Sequence, residues 1–184
     1  MKMSFKILLV ALSIGFISCE KTIEKALDRF TMFEVDNESS FTIASTTVLN
    51  TPFALSTPEI QSDSNNDFEN NNSRKNLIES AKLKKLNLSI QSPDTGNFDF
   101  LNEIELFINA EGLPEALLAS KKEIPENGSR TLALDTEVDT EFAEYLKKDG
   151  YNIRVRALTD KTINEDYEVK VNTVFFIDAK ILGI

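Results

Sequence analysis

Histidine is absent from this 184-residue chain, and so is tryptophan. Without an imidazole the protein has no Ser-His-Asp or Cys-His nucleophile system, no histidine ligand for zinc and no proton shuttle near neutral pH. Only carboxylates, lysine, tyrosine, serine and threonine remain for chemistry. The sequence therefore excludes the commonest designs of hydrolases, and we expect no cofactor and no metal.

Cysteine is nearly absent as well, since Cys19 is the single one in the chain. One cysteine cannot form a disulfide within its own chain, so the fold must be stabilised by a hydrophobic core. The 166 residues from Cys19 to Ile184 suit one domain and are numerous enough to enclose such a core.

Long hydrophobic runs are also lacking. The apolar run from Ile7 to Ile17 has eleven residues and follows two lysines, Lys2 and Lys6. A helix rises about 1.5 Å per residue, so this run cannot cross a hydrocarbon core of about 30 Å. Its length and its basic start are typical of a secretory signal peptide.

The run ends in Phe16-Ile17-Ser18-Cys19, which resembles the lipobox of bacterial lipoproteins such as those of the Bacteroidota. Ile17 and Ser18 fit the family pattern, whereas Phe16 departs from the usual Leu, Val or Ile. The resemblance covers nineteen residues only. It implies that the signal is cut before Cys19, that Cys19 carries a lipid and that the new N-terminus is acylated.

This interpretation predicts a signal peptide at 1–18, a lipid anchor and tether at 19–29, and a single domain at 30–184. Two lipid attachments would give stable anchoring in the bacterial envelope, with the outer membrane favoured, on its periplasmic face or at the cell surface. The alternative is an ordinary cleaved signal peptide followed by an incidental cysteine.

Basic residues are scarce relative to acidic ones. The chain has 20 lysines and arginines against 30 aspartates and glutamates, a net charge of −10, and loses two lysines with the signal. Such a charge argues against nucleic acid as a partner and against an electrostatic contact with anionic lipid. The membrane contact is expected through the lipid on Cys19.

Strand patterns begin after the tether. Phe30–Val35 predicts a first strand, Asn37–Ser40 a turn, and Phe41–Leu49 a second strand rich in β-branched residues. Ser80–Gln91 predicts a long strand whose alternation slips by one residue at Lys84-Lys85. We expect a β-bulge at that slip.

The second half of the chain adds one helix and a long final strand. A short helix is expected near residues 140–148, with Asp139 or Thr140 as its cap and Gly150 just beyond its end. Alternation from Tyr167 to Ala179 predicts a strand in the middle of a sheet. Eight or nine strands about ten residues apart favour an all-β fold, an antiparallel β-sandwich of immunoglobulin-like or jelly-roll type.

Two acidic clusters could in principle bind an ion. Asp63–Asp67 has oxygen ligands at alternate positions, as in calcium loops, but Phe68 and Arg74 occupy the places of the required glycine and glutamate. Asp135–Asp139 holds three carboxylates before the helix, where capping is the simpler explanation. A plain polar loop and a helix cap are the favoured interpretations.

Glu103 and Glu105 share one strand face, a spacing that a retaining glycosidase could use. The solvated side of a sheet explains them more simply. Phe107 continues the same face, where an exposed aromatic could contact a sugar or a protein. The favoured alternative places Phe107 in a second core layer.

The sequence leaves three hypotheses for function. The first is a non-enzymatic binding or assembly module, with an unknown protein or glycan partner. The second is a structural or accessory subunit of an envelope complex. The third is a carboxylate-based glycoside hydrolase. No residue beyond Cys19 identifies the ligand.

Overall fold

The computed structural model describes residues 31–45, 47, 50–61, 68 and 73–180. The predicted signal peptide, Cys19 and the tether lie outside these residues, as does the Asp63–Asp67 loop. Their assignments stay predictions. No membrane-crossing helix is present in the described part of the chain.

In the described part of the chain, ten antiparallel strands form two sheets. One sheet has the order β1-β10-β4-β7 and the other β2-β9-β5-β6-β8, with β3 also paired to β9. The elements are β1 (Met32–Ile43), β2 (Phe53–Ser56), β3 (Ile60–Gln61), a 3-10 helix (Lys75–Leu77), β4 (Ile78–Ser92), β5 (Leu101–Asn109), β6 (Ala116–Lys121), β7 (Thr131–Ala133), β8 (Asp135–Thr136), α1 (Ala143–Leu146), β9 (Gly150–Thr159) and β10 (Tyr167–Ala179).

The predicted all-β sandwich is confirmed. Alternate residues along most of each long strand are buried between the two sheets, as with Leu106 of β5, Val155 of β9 and Phe175 of β10. Each fully buried aliphatic or aromatic side chain stabilises the fold by roughly 1.5–3 kcal/mol relative to exposure. The C-terminal strand β10 lies between β1 and β4, in the central position that its alternation predicts.

The β-bulge expected in β4 is confirmed. Val174 pairs with Lys85 and Phe175 pairs with Leu83, which leaves Lys84 as the extra residue. Because of the extra residue, side chains after the bulge point to the opposite face from the one that strict alternation would give them. The apolar side chains before and after it therefore both reach the core.

The turn predicted at Asn37–Ser40 is wrong. These residues lie within the continuous strand β1 and pair with β10 from Thr173 to Lys170. The strand ends at Ile43, so the second strand expected at 41–49 is not a separate element. Local turn preference is a weak signal, and a twelve-residue ladder with a central strand outweighs it.

The short helix near residues 140–148 is confirmed, but the predicted cap is wrong. The N-cap residue of α1 is Phe142, with no side-chain cap of its own. The carboxylate of Glu141 instead accepts the backbone N–H of Ala143 at 3.1 Å and that of Ala81, in β4, at 2.5 Å. Glu141 thus joins the helix to the sheet. Gly150 is the first residue of β9 rather than a helix terminator.

Replacing Glu141 with Gln is expected to lower the free energy of unfolding by about 1 kcal/mol at neutral pH, because the side chain is 44% exposed and partly screened. Burial raises the pKa of the Glu141 carboxyl, but donors from Ala81, Ser80 and Ala143 outweigh it and hold the pKa below 4.5. Such a carboxyl stabilises the fold above its unfolded pKa and loses that contribution as pH falls through the folded pKa.

Urea denaturation across pH checks this expectation. The difference in unfolding free energy between the parent and Glu141→Gln should shrink below a pH of about 4. Glu144→Gln is the matched control, since the Glu144 carboxylate pairs with Lys147 on the surface. A difference that is the same at neutral and acidic pH contradicts the assignment.

Candidate functional site

The three sequence candidates on β5 lie on the outward face of the second sheet. Glu103, Glu105 and Phe107 are each partly exposed, whereas Ile104 and Leu106 between them are fully buried. The interpretation of Phe107 as part of a second core layer is therefore wrong. Its ring points away from the space between the sheets.

Two arginines of β9 cover the Phe107 ring. The guanidinium carbon of Arg154 lies 4.8 Å from the ring centroid and that of Arg156 lies 5.2 Å away. The register explains both contacts, since Phe107 pairs with Arg154 and Glu105 pairs with Arg156. Cations over an aromatic face are attracted by its quadrupole, by about 0.5–1 kcal/mol at exposed sites.

Each arginine also has a carboxylate partner. Both carboxylate oxygens of Glu115 accept hydrogen bonds from Arg154, through Nε and one terminal nitrogen. Arg156 donates to Glu105 at 3.2 Å. The hydrogen bond from Arg154 is the main cause that lowers the pKa of Glu115, and the same bond raises the pKa of Arg154.

We call this cluster the arginine–phenylalanine platform: Glu105, Phe107, Glu115, Arg154 and Arg156. Its two bases and two acids neutralise one another around a half-buried ring. Each carboxylate accepts from a guanidinium, and at Glu115 this hydrogen bond lowers the pKa, which favours the ionised form over the protonated form that a general acid needs. The platform has instead the residue types of a protein interface, since aromatics and arginine are enriched at such contacts.

Sequence reasoning missed Glu115. It lies in the β5–β6 connection, 39 residues from Arg154 along the chain, and no periodic pattern marks it. The two arginines did carry a signal, because Arg154 and Arg156 alternate with buried residues of β9. Their contact with Phe107 depends on the pairing of β5 with β9, which the sequence does not give.

The acidic cluster at Asp135–Asp139 is not brought together around an ion. Asp135 lies in β8 and pairs with Lys121 at 3.1 Å. Among the residues that the structure describes, no group of three or more acidic side chains could hold a metal ion. Lys82 donates to the backbone carbonyl of Asp139 at 2.8 Å, so the connection is tied to β4 by its main chain.

Comparisons with known proteins add little. No protein-family model matches the chain. No curated protein matches it significantly. One solved structure similar to it is a chain of Desmodium yellow mottle tymovirus, with a TM-score of 0.27 and 10% sequence identity over 82% of this chain and 91% of that chain. At that TM-score the likeness supports no argument about fold or function.

Proposed function

We propose that this protein is a membrane-anchored envelope lipoprotein whose β-sandwich acts as a non-enzymatic binding module for a neighbouring protein. The observation that carries the binding role is the arginine–phenylalanine platform on the outward face of the second sheet. The anchoring role is supported by the apolar run before Cys19 and by its lipobox-like ending.

The chemistry of the platform favours a protein over a glycan as the partner. A sugar ring that recognises an aromatic stacks on its face, and guanidinium groups already lie over the face of Phe107. A protein surface can instead contact the arginine stems, the ring edge and the half-exposed Leu117, which pairs with Phe107 from β6. Face-to-face docking of this kind also suits an accessory subunit of an envelope complex.

A carboxylate hydrolase receives less support. A retaining glycosidase needs two carboxyl groups about 5–5.5 Å apart across the scissile bond, one of them protonated. Glu105 is paired with Arg156, and both Glu103 and Glu105 project from the outer face of a sheet.

Replacing Arg156 with Glu is expected to reduce capture of the native partner at least about tenfold, since an arginine at the energetic centre of an interface contributes about 2 kcal/mol or more. The substitution places a third carboxylate beside Glu105 and Glu115. The measurement is chemical crosslinking in the envelope of the source bacterium, followed by purification of the protein and quantification of each crosslinked species.

Lys170→Glu is the matched control, because Lys170 is a paired basic residue on the outer face of the other sheet. Thermal unfolding of both variants checks that they fold. Support requires a partner that the control retains and Arg156→Glu loses. A set of crosslinked proteins that is the same in both variants contradicts the platform as the binding surface.

The lipid is tested separately. Mass spectrometry of the protein from the membrane fraction should find a mature chain that begins at a lipid-modified Cys19, and Cys19→Ser should release the domain or block its maturation. An unmodified thiol at Cys19, or a mature chain that begins elsewhere, removes the anchoring half of the proposal and leaves the platform untouched.

A further inference from the structure

A polar cleft opens at one end of the sandwich, where the β5–β6 turn meets the junction between α1 and β9. It encloses about 700 Å³ and is lined by residues 109–113, residues 148–152 and Glu59. That volume lies within the range of small-molecule sites in proteins, about 300–1,000 Å³. Loops at the ends of β-sandwiches are a common place for recognition.

Two glycines shape the cleft. A side chain at Gly150 would meet the carboxylate of Glu59 at 2.6 Å, so glycine at this position lets Glu59 lie against the start of β9. Gly112 has a φ of +74°, a backbone conformation that other residues rarely adopt, and it closes the β5–β6 turn. Both glycines belong to paired or tightly turned backbone, so the cleft is largely preformed.

The lining suits a ligand rich in hydroxyl groups. Asn109 and Asn152 are paired across β5 and β9, and their amides offer donors and acceptors side by side. Glu111 adds an acceptor and Lys148 a donor. A hydroxyl group both donates and accepts, so it can use each of these groups, whereas an apolar ligand would leave them unpaired.

Two side-chain oxygens of the lining residues lack a partner among the described residues: the Asn152 Oδ1 and the Tyr151 hydroxyl. The Oδ1 of Asn152 is shielded from solvent and has no hydrogen-bond donor among the described residues. A buried acceptor without a donor costs about 1–3 kcal/mol, so such an atom calls for a donor from outside the chain. A rotation of the Asn152 side chain toward the cleft would bring this oxygen to a hydroxyl or amine group bound there, which supplies the donor.

The charges of the cleft select among such ligands. Glu59, Glu111 and Asp149 bring three acids against one base, Lys148. Asp149 is paired with Lys75 at 2.7 Å, which leaves a small negative excess. Neutral and amine-bearing ligands are therefore favoured over acidic ones.

We infer that this cleft is a carbohydrate-binding site for neutral or amine-bearing sugars. It lies one pair of residues beyond the arginine–phenylalanine platform, because Asn109 and Asn152 continue the outward faces of β5 and β9. The inference does not depend on the protein partner proposed for the platform, and each can fail without the other.

Isothermal titration of the protein in a sugar-free detergent tests the cleft with three probes: the trimers of N-acetylglucosamine, glucosamine and galacturonate. We expect the first two to bind with dissociation constants below about 1 mM and the galacturonate trimer at least about tenfold more weakly. Asn152→Ala should weaken binding of both favoured probes about tenfold. It should leave thermal stability equal or higher, since it removes an unpaired acceptor.

Lys170→Glu is the control, since Lys170 lies on the outer face of the other sheet, outside the cleft, and it should bind the probes as the parent does. Three results overturn the inference: no heat of binding from any probe up to about 10 mM, a galacturonate affinity equal to the others, or an Asn152→Ala affinity within about twofold of the parent. Sugar binding that persists when crosslinking to the partner is lost separates this site from the platform.

Discussion

Replacing Phe142 with Ala lowers the free energy of unfolding by about 4 kcal/mol, the largest single effect we expect in this domain. The Phe142 side chain is 0% exposed, and its ring lies 5.9 Å from that of Phe175 and 6.2 Å from that of Tyr145. Its backbone N–H donates to the carbonyl of Ala81 at 2.9 Å. The ring therefore fixes α1 to the first sheet. Its removal leaves a cavity that cannot fully close, because the backbone of β10 is hydrogen-bonded to β1 and β4 on either side.

Equilibrium denaturation in urea measures the loss as a lower midpoint at unchanged slope. Phe176→Ala is the matched control, because the same atoms are removed from a ring that is 40% exposed on the outer face of β10. We expect the control to cost about 1 kcal/mol. Equal losses at the two positions would show that Phe142 does not anchor the helix.

Replacing Arg130 with Ala lowers the free energy of unfolding by about 3 kcal/mol. One terminal nitrogen of Arg130 donates to the carbonyls of Pro93 at 2.7 Å and Gly96 at 3.0 Å, and also to that of Asp94. The other donates to Ile90 at 2.9 Å. A single guanidinium thus binds the end of β4 and the turn that follows it. Its loss leaves partly buried carbonyl oxygens without this hydrogen-bond donor.

Two variants define the effect of Arg130. Arg130→Lys should recover less than half of the loss, because an ammonium lacks the planar fork that reaches several carbonyls at once. Lys122→Ala, at an exposed lysine of the β6–β7 connection, should change stability by less than about 0.5 kcal/mol. Full rescue by lysine would mean that charge alone, rather than the geometry of the guanidinium, holds the turn.

Several features of the fold could be predicted from the sequence because burial leaves a period-two pattern in each strand. The alternation from Tyr167 to Ala179 places β10 in the centre of a sheet, and the slip at Lys84-Lys85 marks the bulge of β4. The helix near residues 140–148 could be placed because its apolar face has a different period. These signals are local, and each needs only neighbouring residues to be read.

Contacts between residues that are far apart in the chain could not be predicted from the sequence. Asn37–Ser40 favours a turn by composition, and only the ladder with β10 makes it a strand. The Glu141 carboxylate accepts the backbone N–H of Ala143 in the helix and also that of Ala81, which lies 60 residues earlier in the chain. Contacts of this kind depend on which strands become neighbours, and strand order is set by the packing of the whole core.

Composition and strand periodicity are enough to predict the class of the domain, an all-β sandwich without histidine chemistry or disulfides. The lipobox-like motif at Cys19, from which anchoring is proposed, can likewise be recognised from neighbouring residues alone. Only the tertiary structure placed Arg154 and Arg156 over Phe107, and Asn109 beside Asn152. The physical reason is that composition and periodicity decide what is buried, whereas a surface that can bind requires two strands distant in the chain to meet in one register.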